Sequence, residues 1–140
     1  MVVRETVLEH VHSLVQNRIR IDRFTGGVLD NFLFNEAPVF GGPGSVVKLD
    51  VTLRDPSRAE IGLLLLVLKD LWTADLPVGG GASVGRGRLQ GLGAELSQDG
   101  TAHWTLVQAW QGRQAGELRV TGDRQALEGY VGALNEEVAA

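Results

Sequence analysis

Six glycines and two arginines fall within "PVGGGASVGRGRLQG", the fifteen residues from Pro77 to Gly91, with no acidic residue among them. Backbone N–H groups in glycine-rich loops can form concave seats for anions, and arginine guanidinium groups donate paired hydrogen bonds to phosphate oxygens. The stretch is therefore a candidate phosphate contact. It is not a nucleotide P-loop, because Gly-x-x-x-x-Gly-Lys-Ser/Thr needs a lysine and none stands here. Nor is it the dinucleotide fingerprint: "GGGASVG" has a different glycine spacing and follows a predicted helix, where that fingerprint follows a strand.

Other residues offer weaker chemistry. "RIRIDR", Arg18 to Arg23, sets three arginines against one aspartate. Arg18, Arg20 and, further on, Lys48 fall at alternate strand positions, which normally form the wet face of a sheet. Asp22 and Asp30 are the candidates for metal-dependent cleavage of a phosphodiester, which needs carboxylates beside the scissile phosphate. Asp22 is expected instead to pair with Arg20, Arg23 or another basic neighbour, and Asp30 to sit in a turn before Asn31. His10 and His12, at i, i+2, share a face only in a strand, and no cysteine or third clear ligand joins them. No metal or cofactor is expected. Serine-histidine-acid and paired-carboxylate constellations are not visible either, so a binding module is preferred over an enzyme.

The chain that carries these residues has 140 of them, enough for one domain or one compact piece of a larger assembly. It is 44% hydrophobic and has no cysteine, which gives no support to a disulfide framework. The apolar run "IGLLLLVL" is too short to span a bilayer, and the charged "MVVRETVLEH" does not look like a signal peptide. A soluble cytoplasmic protein is the expectation. The net charge of −4 does not advertise nucleic-acid binding by the chain as a whole. Its distribution is uneven: Glu117, Asp123, Glu128, Glu136 and Glu137 outweigh Arg119 and Arg124 towards the end, while "RIRIDR" and the glycine loop are basic. That asymmetry permits an anion-binding face on an acidic protein.

The elements that must position these groups are legible in outline. "TVLEHVHSLVQ", Thr6 to Gln16, has apolar spacings that suit a helical face and, in part, a strand; a helix is expected. "RIRIDR" alternates as a half-buried strand with Ile19 and Ile21 inward. The segment from Phe24 to Ser45, glycine-rich at both ends, reads as a projecting β-hairpin or ordered arm. "VVKLDVTLR" alternates as a second half-buried strand. A helix follows from about Pro56 to Trp72, with Asp55 as a cap, a first-turn proline and capping-box spacing from Ser57 to Glu60. Its middle, Ile61 to Leu68, is apolar on nearly every side and should be covered from more than one direction. After the glycine loop come strands near Leu89 to Ser97, Thr101 to Trp110 and Glu117 to Thr121, with a turn at Gln98-Asp99-Gly100. A last helix over 123–138 is capped by Asp123. Trp104 and Trp110 share one alternating face and are read as core; no strand shows the paired aromatics of a base-stacking RNA module. This order predicts an α+β, ferredoxin-like (RRM-like) sandwich, whole or incomplete, as a single domain over 1–140.

Three features in fixed order, "RIDRFTGGVLDNFLFNEAPVFGG", "EIGLLLLVLKDLW" and "LPVGGGASVGRGRLQG", resemble the RAMP superfamily, whose members build CRISPR RNA-guided effector complexes. The likeness is to the C-terminal part of type III backbone subunits and covers residues 18–97. It implies that the first segment is a thumb-like β-hairpin that intrudes between guide and target RNA, and that the glycine loop lies against the guide. By position, Thr25, Gly26, Gly27, Phe34 and Glu36 fall in the thumb, and Gly79, Gly80, Ser83, Gly85, Arg86, Gly87 and Arg88 in the loop. Family members usually carry a substantial N-terminal half before the thumb, and in the subunits that cleave target RNA the catalytic aspartate lies there; only about seventeen residues precede the thumb strand here. The serine-basic-glycine common in the family's loop is "SVG", which removes one phosphate contact at Val84.

The resemblance thus implies a non-catalytic RNA-binding subunit or subunit fragment, an oligomer or part of a complex, whose partners are CRISPR guide RNA, target RNA and other effector-complex subunits. Two alternatives stay open: a metal-dependent endoribonuclease using a thumb-region aspartate, and a protein-interaction scaffold that has lost RNA binding. Membrane association is not expected.

Overall fold

A computed structural model describes residues 1–139, the Ala102 side chain excepted. The chain is α+β and divides into two compact units, Met1–Arg54 and Asp55–Ala140.

The first unit is all β. Its strands are β1 (Val2–Val3), β2 (Val11–Ser13), β3 (Gln16–Ile21), β4 (Val28–Glu36), β5 (Val39–Gly41) and β6 (Val51–Thr52). They pair antiparallel as β1 with β6, β2 with β5 and β3 with β4. These ladders nest inside one another: Val2 faces Thr52, Val11 faces Gly41, Gln16 faces Glu36 and Ile21 faces Val28. Arg4 N–H donates to Asp50 O (3.0 Å), Gly42 N–H to His10 O (2.8 Å) and Leu14 N–H to Pro38 O (3.2 Å), stitching the intervals. The unit is therefore one long two-stranded ribbon that turns back at residues 22–27. The unit contains no second layer of its own to cover the ribbon, and no described residue of this unit is buried.

That topology corrects several expectations. Thr6 to Gln16 forms no helix, because its β-branched residues find a ladder partner in the returning segment, and long-range pairing decides what an ambiguous period leaves open. "RIRIDR" is indeed a strand, but Ile19 and Ile21 are 51% and 60% exposed instead of inward. The arm from Phe24 to Ser45 does not pair with itself; its two strands pair back to β3 and β2. "VVKLDVTLR" shrinks to Val51–Thr52, since alternation gains little without a facing layer.

The second unit holds α1 (Arg58–Trp72), β7 (Gly93–Gln98), β8 (Thr101–Gln111), β9 (Gln114–Thr121) and α2 (Arg124–Ala139). At the start of α1, Ser57 Oγ accepts from Glu60 N–H (3.2 Å) while Ser57 N–H donates to Glu60 Oε2 (2.7 Å). Ser57, not Asp55, is the cap: Pro56 keeps its predecessor out of the α region, and Asp55 takes φ 44°. Asp123 caps α2 as its sequence indicates, Oδ1 accepting from Gln125 N–H (2.9 Å) and Ala126 N–H (3.2 Å).

The sheet is an antiparallel meander in the order β7-β8-β9. Along β8, Trp104, Leu106, Gln108 and Trp110 are half-buried while Thr105 and Val107 are exposed, the period of a one-sided sheet. The covered face is tied by indole donors. Trp104 Nε1 bonds Asp123 O (2.7 Å) and meets Tyr130 edge-on at 6.4 Å, and Trp110 Nε1 bonds Gly91 O (2.6 Å). Trp72, only 7% exposed at the end of α1, donates to Gln108 Oε1 (2.6 Å), and Gln108 Nε2 in turn donates to Gly116 O (2.7 Å). The apolar middle of α1 is less enclosed than its composition suggests: Leu63 stays 53% exposed, and within that helix only Ala59, Gly62 and Trp72 are buried. Among the described residues no helix is long and apolar enough to cross a membrane.

Candidate functional site

The glycine loop is an ordered structure. Val78 N–H donates to Gly87 O (2.8 Å) and closes it. Inside, a 3₁₀ turn over Ala82–Val84 is held by Val84 N–H to Gly81 O (3.1 Å) and Gly85 N–H to Ala82 O (3.0 Å), while Arg86 N–H also donates to Gly81 O (3.0 Å). Gly85 takes φ 76° to end that turn. Gly87 needs its glycine twice over, with φ 74° and only 1.9 Å between a would-be Cβ and Val78 O. Gly81 lies under the aliphatic stem of Arg86, and Gly91 lies flat on the Trp72 indole. Gly79 has positive φ but open space around it; Gly80 has open space and no positive φ, so the fold makes no demand for glycine there.

Charge and donors collect on the same loop. Arg86 is half-buried and Arg88 exposed. Arg88 Nη1 donates to Ala74 O, tying the loop back to the end of α1, and the guanidinium retains further N–H groups. Gly79, Gly80, Ala82 and Ser83 are exposed, and among the described residues the backbone N–H groups from Gly79 to Ser83 donate to no protein acceptor. Such a run of unspent donors beside two arginines, with no carboxylate in the loop, can receive anionic oxygens.

The ribbon places its candidates differently. Arg18 is engaged internally: its Nε lies 3.3 Å from Glu36 Oε2 and its Nη2 donates to Gln16 Oε1 (3.2 Å). Phe34, directly opposite Arg18 in the ladder, is exposed. Arg20 lies over the Phe32 ring at 5.2 Å and Arg23 over Phe24 at 4.8 Å, so two cations ride on exposed aromatic faces. Lys48 lies outside any strand and lines a shallow cavity with Thr6, Glu9 and His10. His12 stacks on Phe40 at 6.0 Å. Among the described residues no three His, Cys, Asp or Glu side chains cluster as a metal site.

The two aspartates are corrected. Asp22 makes no ion pair among the described residues; its Oδ1 accepts from Phe24 N–H (2.7 Å) and Thr25 N–H (3.0 Å), which builds the ribbon's turn. Gly26 (φ 70°) donates to Asp22 O (2.8 Å), and Gly27 N–H reaches Thr25 Oγ1 (3.3 Å). Asp30 sits within β4, not in a turn, beside Asn31 at φ 63°. There the ladder slips, with Ile19 opposite Leu33 and Ile21 opposite Val28, so β4 bulges.

The backbone donors of Thr25 and Phe24 hold the Asp22 carboxyl below the usual carboxylate range. Because its folded pKa is depressed, its contribution to the turn is present above the ordinary aspartate pKa and is lost as pH falls through the lowered one. The Phe24 and Thr25 amide resonances should therefore shift together at acid pH, with a midpoint below that of an unstructured aspartate. In Asp22→Ala that coupled titration should vanish. A midpoint at the ordinary aspartate value would contradict the turn.

Sequence reasoning missed Gln108, the polar link between Trp72 and Gly116. Its signal was a glutamine at an inward position between two tryptophans of one strand. Comparison with protein-family models, with curated proteins and with solved structures finds no match for this chain.

Proposed function

We propose that the chain is an RNA-binding subunit of a CRISPR type III-like effector complex, holding guide RNA by its backbone through the glycine loop and packing against neighbouring subunits. The observation that carries this reading is the exposed, acid-free loop with unspent N–H groups from Gly79 to Ser83 beside Arg86 and Arg88. Contacts of this kind bind and position a strand without reading its sequence, which base pairing with the guide would supply. The second unit is taken as part of a ferredoxin-like sandwich, two helices with an antiparallel sheet. The ribbon supports the subunit reading in its own way, since a two-stranded ribbon with exposed Phe32, Leu33 and Phe34 is marginally stable alone and gains from a covering partner. Asp22, with its carboxylate engaged by two backbone donors, is better suited to shaping the turn than to holding a catalytic metal.

Binding of unrelated single-stranded RNAs, measured against salt, tests the loop. Each phosphate neutralised on a single strand contributes about −0.7 to the slope of log affinity against log salt. Arg86→Ala/Arg88→Ala should flatten the slope by roughly 1.4 and weaken different sequences about equally. An unaltered slope in a folded double variant would make the loop a structural turn, and no RNA binding by the wild type would favour the scaffold. Metal-dependent cleavage that Asp30→Ala abolishes would favour the endoribonuclease.

A further inference from the structure

The ribbon of the first unit keeps one register from Val11 opposite Gly41 to Ile19 opposite Leu33. Its strands are interrupted only at residues 14–15 and 37–38, where Pro38 has no N–H to give; Leu14 N–H donating to Pro38 O (3.2 Å) carries the register across. Directly opposed residues share a face and successive ones alternate, so each side chain of this stretch falls on one of two faces. The even positions take all of the ionisable groups, His12, Arg18, Arg20 and Glu36. The odd face is uncharged and centred on Asn17 opposite Asn35. To one side of that pair the register sets Val15 and Ala37, then Ser13 and Val39. To the other side lie Ile19 and Leu33 and, past the bulge in β4, Ile21 and Val28. The large aliphatic side chains of this face are exposed, from 51% at Ile19 to 70% at Leu33.

We propose that this uncharged face is covered by the same face of a second copy, two ribbons stacked about 10 Å apart on a two-fold axis through the Asn17–Asn35 pair. The axis runs across the strands, in the plane between the ribbons. A two-fold contact needs a self-complementary surface, and the order of residues about the asparagines supplies one. Ile19 lies over Val15 of the other copy, Leu33 over Ala37, Ile21 over Ser13 and Val28 over Val39, so the largest side chains meet smaller ones. Ser13 Oγ already donates to Ala37 O (3.3 Å) and needs no new partner when covered. The asparagines meet asparagines, whose carboxamides both donate and accept. A slip by two residues would bury them against Val15 or Ile19 without partners, so they hold the register as a single buried asparagine does in a coiled coil. A nucleic acid finds no cation on this face for its phosphates. Covering the aliphatic side chains of both copies removes on the order of 1,000 Å² from water, the size at which a specific contact begins. The proposal rests on the subunit-packing part of the proposed function and not on the glycine loop.

Sedimentation velocity of the full chain over a micromolar concentration series tests it. The wild type should dimerise. Ile19→Lys and Val15→Glu each place an unpaired charge in the contact twice and should each weaken it by about tenfold or more. Leu14→Lys, a like change at an exposed leucine on the charged face, should leave the dimer intact. An equimolar mixture of Ile19→Lys and Val15→Glu should associate more tightly than either variant alone. There the lysine of one copy lies over the glutamate of the other, while the second contact remains Ile19 over Val15; misfolding cannot produce that gain. A wild type that stays monomeric, a dimer that survives Ile19→Lys, one lost equally in Leu14→Lys, or a mixture that fails to reassociate would overturn the proposal. RNA binding by a monomeric wild type would overturn this contact alone and leave the reading of the loop standing.

Discussion

Gly62→Ala is expected to lower the stability of the second unit by about 2 kcal/mol, among the largest effects any methyl group could have in this chain. Helices α1 and α2 approach closely at this residue, where a Cβ would lie 2.2 Å from Tyr130 O and 3.2 Å from Leu134 Cβ. The first neighbour is a main-chain carbonyl inside α2 and cannot swing aside as a side chain can. The helices must separate or slide, with an overpacking cost near the upper end of about 1–3 kcal/mol, offset by the ~1 kcal/mol that alanine gains over glycine within a helix. For a unit of this size a net 2 kcal/mol corresponds to a melting temperature lower by about 10 °C. Gly132→Ala is the matched control, since it lies on α2 with no heavy atom within 4 Å of a would-be Cβ. That variant should melt at or above the wild-type temperature. If the two variants melt alike, the close approach of the helices is not what requires Gly62.

The parts of this fold that were legible are those decided within a few residues. The Ser57–Glu60 capping box, the Asp123 cap and the turn at Asp99 (φ 50°) and Gly100 (φ 77°) each rest on side-chain or backbone preferences of adjacent positions. The ribbon was not legible, because Val11 meets Gly41 and Val2 meets Thr52 across most of the unit. No local period announces a partner so far along the chain. Arg18 shows the same limit in the candidate site: a strand position marks it as a solvent-facing cation, whereas the register sets Gln16 opposite Glu36 and brings that glutamate to the guanidinium. The glycine cluster was visible at once, but its causes were mixed. Gly87 answers to Val78 and Gly91 to Trp72, and only Gly80 has neither a backbone nor a packing reason.

Gly91→Ala should be at least as costly as Gly62→Ala, and a double-mutant cycle identifies why. A Cβ at position 91 would lie 1.8 Å from Trp72 Cδ2 and 2.3 Å from Cε2 and Cε3, inside the indole's contact surface. The ring cannot retreat freely. Its Nε1 is bonded to Gln108, its own carbonyl accepts from Gly91 N–H (3.0 Å), and Gly91 O accepts from Trp110. Displacing either partner therefore breaks hydrogen bonds among part-buried groups, each costing about 1–3 kcal/mol when left unsatisfied. Gly91→Ala should lose about 3 kcal/mol on this account, measured from urea unfolding followed by circular dichroism. Trp72→Ala alone should cost about 3–5 kcal/mol as a large-to-small change at a buried site. Because both act through one contact, they should be strongly non-additive: with the ring removed, the second methyl group has room, and Gly91→Ala should then cost well under 1 kcal/mol. A full Gly91→Ala penalty in the Trp72→Ala background would place the need for glycine in the backbone path where the loop rejoins β7, and not in the indole beneath it.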